Sequence, residues 1–313
     1  MPGREKKSRK SKRSKTKGFA AYAADPFSSA LDGRGRLGYY EKKHTGEIEM
    51  ERKPVTAAAE EFPAFVRPLL MGARVYDSSC SSAAKVWFLD RDGGYYLKRA
   101  PAGTLKKEET LTRFFHQKGM AAEVLGYESG EWDWLLTARV PGEDCIFPAY
   151  LADPQRLCDT TAQLLRMLHS TDPRGCPIPN RTADYRNMAA ENHRRGVYDL
   201  HLFSDRWARW RFASVEEAWN EVERNGRYLK TETLLHGDYC LPNIMLDNWK
   251  FAGFLDLDAG GVGDRHVDLF WGTWTLQYNL KTDAYRERFL DAYGRDMVNE
   301  DVFRTVAAIE IFG

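Results

Sequence analysis

The chain has 313 residues, of which 43% are apolar, including nine Trp, fifteen Tyr and sixteen Phe. That is enough to bury the core of one two-lobed domain, and too much for disorder along the whole length. The formal charge of +1 divides unevenly: residues 4–17 hold nine Lys/Arg against one Glu, a net +8, which leaves −7 for the rest. An acidic body favours a small cationic partner and requires no nucleic acid. The five cysteines (Cys80, Cys145, Cys158, Cys176, Cys240) show no metal-binding spacing and fit a reduced, cytoplasmic compartment. No apolar run approaches the roughly 18 residues of a membrane span, and no signal-peptide core follows the basic start.

In chain order, residues 1–18 are too polar and basic to fold, and 1–55 reads as a disordered extension. Apolar residues at helical spacing (Phe62, Phe65, Val66, Leu69, Leu70) predict a helix over 56–70. Strands follow at 74–77, 85–89 and 95–99, the last two joined by the hairpin signal Asp90-Arg91-Asp92-Gly93-Gly94. A helix over 105–118 ends at Gly119, and strands at 123–127 and 132–138 complete a β-β-α-β-β sheet unit. From Pro154 the periodicity is mostly helical, with helices near 157–169, 215–225, 269–278 and 284–293, interrupted by strands at 244–246 and 251–257. The fold class is α+β: a nucleotide-binding sheet lobe over 56–140 and a larger helical lobe over 141–313.

The sharpest chemical signal is His236-Gly237-Asp238 with Asn243 five residues on, followed by Phe254-Leu255-Asp256 at the end of the next apolar run. Two carboxylates and an amide on two short strands suit phosphoryl transfer: Asp238 to accept the proton of an attacking hydroxyl, Asn243 and Asp256 to hold magnesium. Any one of them alone would read as a turn cap or strand end; the spacing carries the assignment. His236 reads as structural, bonding backbone near Asp256. Upstream, Lys98 at a strand end and the acids Glu108 and Glu109 on the following helix supply a Lys–Glu pair of the kind that orients nucleotide phosphates. The serine run 78–82 offers hydroxyls and N–H groups over the phosphates, and no P-loop motif occurs. The segment 135–142 joins the lobes, with Pro141 and Gly142 as a hinge.

Together these residues resemble the aminoglycoside phosphotransferase family, and within it the 3′-phosphotransferases, over about residues 56–313. The resemblance implies a protein-kinase-like bilobal fold, ATP and Mg2+ as cofactors, and a polycationic aminoglycoside acceptor whose modification confers antibiotic resistance. It implies Asp238 as catalytic base, Asn243 and Asp256 as magnesium ligands, and Lys98 with Glu109 as the phosphate-orienting pair. It implies Ser82 in the nucleotide-positioning loop, Thr137 as gatekeeper, and Ala138 and Val140 as the adenine contacts. Asp268 matches the residue that braces the catalytic loop, and Glu310 and Phe312 a C-terminal segment that meets the drug. Leu241 stands where relatives carry an acidic drug contact, and Ala259 where they carry Arg. Two other readings follow: a small-metabolite kinase of the same chemistry (amino sugar, choline-like alcohol or hydroxy-amino acid), and a non-enzymatic binder acting through the basic tail. The remaining histidines, the basic aromatic cluster 207–212 and the acids Glu216, Glu217 and Glu221 read as packing or solvated surface.

Overall fold

The computed structural model describes residues 53–56, 58–79, 84–199 and 210–313. The basic tail, Ser82 and residues 207–209 of the aromatic cluster lie outside them.

The first sheet contains β1 (Lys53–Pro54), β2 (Arg74–Asp77), β3 (Lys85–Asp90), β4 (Tyr95–Pro101), β5 (Val124–Ser129) and β6 (Trp132–Ala138), in the order β1-β2-β3-β4-β6-β5, every pair antiparallel. The helix expected over 56–70 is corrected to a 3-10 turn at Ala59–Glu61 and a four-residue helix α1 (Arg67–Leu70). Pro63 and Pro68 explain the break, since neither can donate to a preceding helical turn. The apolar spacing there reports burial all the same: Phe62 and Val66 are buried on one sheet face with Trp87, Leu97, Trp134 and Leu136. The strand's two-residue period then turns Lys98, which pairs across β6 with Leu135, to the other face, beside Ala100 and Leu135.

That second face carries α2 (Lys106–Gln117). Its start is fixed from the sheet: the buried Asp133 accepts the Leu105 N–H (2.9 Å) and the Ser129 hydroxyl (2.5 Å). Burial raises the Asp133 pKa, but the hydrogen bonds from Ser129, Gly103 and Leu105 outweigh it and hold the carboxyl below its usual range. A depressed carboxyl pKa stabilises the fold above the unfolded-state value and loses that contribution as pH falls through the folded one. Asp133→Ala should therefore cost about 1–2 kcal/mol at neutral pH, and the difference from the parent should shrink in acid. Denaturant melts at pH 7 and pH 3 check both; a pH-independent difference would mean the carboxylate charge is not what caps the helix.

After β6 the chain turns at Gly142 (φ +84°), where a Cβ would lie 2.1 Å from the Leu246 carbonyl oxygen. It continues through β7 (Glu143–Asp144), α3 (Pro148–Leu151), α4 (Pro154–His169), α5 (Arg181–Arg194), α6 (Val215–Asn225), β8 (Thr233–Leu235), β9 (Ile244–Asp247), β10 (Lys250–Phe254), β11 (Gly261–Gly263), α7 (His266–Leu280), α8 (Arg286–Tyr293) and α9 (Glu300–Glu310). α4, α5, α6 and α9 begin on side-chain caps from Asp153, Asn180, Ser214 and Asn299. β10-β9-β7 form one small sheet and β11-β8 another, and their side chains join those of the helices in a single large core. The strand expected to run to residue 257 stops at Phe254, so Asp256 lies in the loop beyond it. The lobes meet where Phe254 N donates to Met120 O (2.7 Å), just past the end of α2. Among the described residues no helix is long and apolar enough to cross a membrane.

Candidate active site

β8 delivers His236, Gly237 and Asp238, and the loop returns through a 3-10 turn at Leu241–Asn243 into β9. Gly237 is required: at φ +83° a Cβ there would sit 2.0 Å from the Ala259 carbonyl oxygen. The fully buried Asp268 of α7 takes the Gly237 N–H on Oδ1 (2.7 Å) and the His236 N–H on Oδ2 (2.8 Å). His169 at the end of α4 donates from Nε2 to the same Oδ2 (3.1 Å) and receives the Tyr293 hydroxyl at Nδ1 (2.8 Å). Burial lowers the His169 pKa despite the neighbouring carboxylate, so a neutral imidazole does this bracing.

Asp238 is half-buried and held on several sides. Asn243 donates from Nδ2 to its main-chain oxygen (3.0 Å) and to its Oδ2 (3.1 Å). The Cys240 thiol donates to Oδ1 (3.3 Å), and the Asp238 N–H donates to His236 Nδ1 (3.3 Å). The expectation that His236 bonds backbone near Asp256 is thereby corrected. Its ring stands edge-on to Phe254 (5.5 Å), and Nε2 is buried without a hydrogen-bond partner among the described residues.

Asp256 adopts the left-handed conformation (φ 53°, ψ 60°) uncommon for a non-glycine residue, which brings its carboxylate round to Lys98. Lys98 Nζ donates to Asp256 Oδ1 (3.2 Å) and to Glu108 Oε2 (2.7 Å). Burial disfavours the ammonium, but Asp256, Glu108 and Asp258 outweigh it and raise the Lys98 pKa. Burial also lifts Glu108 to about 7, with Lys98 pulling it down and Asp256 and Asp258 pushing it up. The expected pairing with Glu109 is corrected: Glu109 instead receives Arg113 (2.5 Å) and Lys106 (2.9 Å) on the same helix.

Lys98 thus lies among Glu108, Asp256 and Asp258, and with burial favouring the protonated form of Glu108, it is Asp256 and Asp258 that supply the negative charge suited to a hard divalent cation. No set of three His, Cys, Asp or Glu side chains among the described residues could hold one unaided. The candidate oxygen donors are the Asp256 carboxylate and the Asn243 amide, whose Nδ2 is taken up by Asp238 and whose Oδ1 is the atom left to bind a cation. Such a sparse oxygen set suits magnesium, which keeps water and phosphate oxygens in its shell.

At the hinge, the Ala138 N–H donates to Glu123 O (2.9 Å). Val140 is buried, and its N–H and C=O have no hydrogen-bond partner among the described residues. A buried unpaired amide is costly unless a ligand satisfies it. Ser82 lies outside the described residues. Ser79 ties its hairpin together, accepting the Val86 N–H at Oγ (2.9 Å).

The C-terminal expectation changes most. Glu310 is buried, and its Oε1 receives the Tyr185 hydroxyl (2.7 Å) and the Trp271 indole N–H (3.0 Å). Phe312 is buried against His193 and Trp219. Both therefore support the lobe from within in this structure, and direct contact with an acceptor is corrected to that role. Leu241 is fully buried too, its N–H on Thr275 Oγ1 (3.1 Å). On α6, Glu217 and Glu221 engage Arg304 (3.1 and 3.3 Å) beside a 370 Å³ cavity, so they are paired rather than a free anionic surface.

A model of the phosphotransferase enzyme family matches residues 76–304. A probable aminoglycoside 3′-phosphotransferase of Lactococcus lactis is 44% identical over 255 residues, 81% of this chain and 96% of that protein. An aminoglycoside 3′-phosphotransferase of Niallia circulans is 27% identical over 69% of this chain and 83% of its own length. Among solved structures, an aminoglycoside-3′-phosphotransferase of type VIII superposes with a TM-score of 0.65 at 25% identity, covering 81% of this chain and 96% of that one. A Streptomyces rimosus aminoglycoside phosphotransferase in complex with ADP and streptomycin shares the fold at 20% identity, with a TM-score of 0.59 over 88% of this chain and 97% of its own.

Proposed function

We propose that this chain, which belongs to the phosphotransferase enzyme family, is an ATP- and magnesium-dependent O-phosphotransferase that transfers the γ-phosphate to a hydroxyl of an aminoglycoside, of the 3′ type. One observation carries the chemistry. Asp238, fixed by Asn243 and by a loop pinned to Asp268, lies on the loop that returns as β9, and β9 pairs with β10, which leads to Asp256. Asp256 is in turn held by a Lys98 that Glu108 orients. In this reading Asp238 orients the acceptor hydroxyl and takes its proton, and Lys98 holds α/β-phosphate oxygens. The hinge carbonyl of Ala138 and N–H of Val140 take the adenine edge. Asn243 and Asp256 would hold magnesium, which would supply positive charge to offset that of the nucleotide phosphates.

The acceptor class rests on the relatives' names and on the acidic body of the chain. The buried Leu241 and Glu310 favour a second reading, a small-metabolite acceptor, because they remove two carboxylates from the surface a polycation would meet. Turnover of ATP against aminoglycosides with and without a 3′-hydroxyl, and against small alcohols, separates the two, with the product read by phosphorus NMR. Phosphorylation confined to the 3′-hydroxyl compounds, with resistance in cells expressing the protein, is the expected result. Turnover driven only by another small alcohol would sink the aminoglycoside assignment.

A further inference from the structure

Arg181 opens α5 and is buried at 7% exposure, an expensive place for a guanidinium unless its donors are satisfied. Its Nε donates to the Ala259 carbonyl oxygen at 2.7 Å. Ala259 ends the short turn Leu257–Ala259 that Asp256 introduces. The same oxygen lies against Gly237, where it leaves no room for a Cβ. One acceptor atom thus joins the loop of the second magnesium ligand to the residue preceding Asp238, and Arg181 is its charged donor. Around it the contact is tight: Val262 N donates to Ile178 O (2.8 Å), and a Cβ on Gly261 would meet Ile178 at 2.8 Å and Arg181 Cβ at 3.0 Å.

The same guanidinium is also linked toward the C-terminus. It lies over the ring of Tyr185, one helical turn on (5.7 Å), whose hydroxyl donates to Glu310.

We propose that Arg181 is a positioning residue for the reaction, fixing through the Ala259 carbonyl the distance between the Asp256 loop and the Asp238 loop. Tyr185 and Glu310 anchor it from behind. The proposal rests on the reading of Asp256 as a magnesium ligand.

The test is Mn2+ binding to the ADP complex, followed by electron paramagnetic resonance on the full chain, beside the magnesium dependence of turnover. Arg181→Gln should weaken Mn2+ binding by about 10–100-fold and raise the magnesium needed for half-maximal rate in step, with KM for the acceptor unmoved. Arg181→Lys, which keeps a cation but lacks Nε, should recover part of the loss. A merely structural arginine would lower the folded fraction, and with it kcat, without moving metal affinity. Unchanged Mn2+ affinity in both variants overturns the proposal. If Arg181→Gln does not fold by circular dichroism, Arg181→Lys decides alone by the same criterion. Asp256→Asn, run in parallel, separates the two levels. Loss of Mn2+ there with retention in the Arg181 variants sinks only this inference; retention in Asp256→Asn sinks the magnesium assignment and this inference with it.

Discussion

Asp238→Asn should lower kcat by about 10²–10⁴-fold while leaving the melting temperature and nucleotide affinity near those of the parent. The substitution keeps the volume, and the amide oxygen still accepts from Asn243 Nδ2, which lies 3.1 Å from Oδ2 in the parent. What it removes is the charge that orients and deprotonates an alcohol. Removing that role affects the transition state more than the bound nucleotide, so kcat falls and the KM for ATP holds. Asp238 is only half-buried, and Asp268, which takes the His236 and Gly237 N–H groups, does the structural work on this loop. An Asp268 substitution should therefore unfold or loosen the loop, and an Asp238 substitution should not. Single-turnover kinetics with calorimetric melts reads both quantities. Turnover by Asp238→Asn at the parent rate would refute the assignment of the base.

The separation between what the sequence disclosed and what it hid follows from the range of the interactions. Asp238 and Asn243 sit in one loop, so their spacing along the chain is also their geometry. The strands 85–99 and 123–138 were readable because alternation and a hairpin signal are local. The choice between Glu108 and Glu109 was not local. Adjacent helical residues point about 100° apart, and which of them faces Lys98 depends on where α2 starts, which Asp133 sets from another strand. α5 escaped notice for a related reason. Its buried positions include Arg181, Thr182 and Asn192, polar residues with tertiary partners, so no apolar stripe marks it. Arg181 and Cys240 carry no mark in the sequence, since the contact each makes exists only in the folded chain. Over 56–70 the opposite error arose: apolar spacing was true of burial, while two prolines denied the helix.

The pairing of Lys98 leads to the second large effect. Lys98→Met should reduce kcat/KM by about 10²–10³-fold, the scale for removing one preorganised charge from a phosphate or oxyanion site. Glu108→Gln should approach that loss, and Glu109→Gln should stay close to the parent. The asymmetry follows from geometry: Glu108 lies 2.7 Å from Nζ, whereas Glu109 is taken up by Arg113 and Lys106 on its own helix. Without the Glu108 charge, Lys98 keeps its contact with Asp256 and has only a neutral amide oxygen to draw it toward α2. The ammonium would then swing toward Asp256 and compete with magnesium for that carboxylate. Glu108→Gln is accordingly expected to raise the magnesium requirement as well as lower the rate, a double signature that Glu109→Gln should lack. Steady-state kinetics over a magnesium series for the three variants decides it. Equal losses at Glu108 and Glu109, or a greater loss at Glu109, would mean that the working enzyme pairs Lys98 differently from the structure described above.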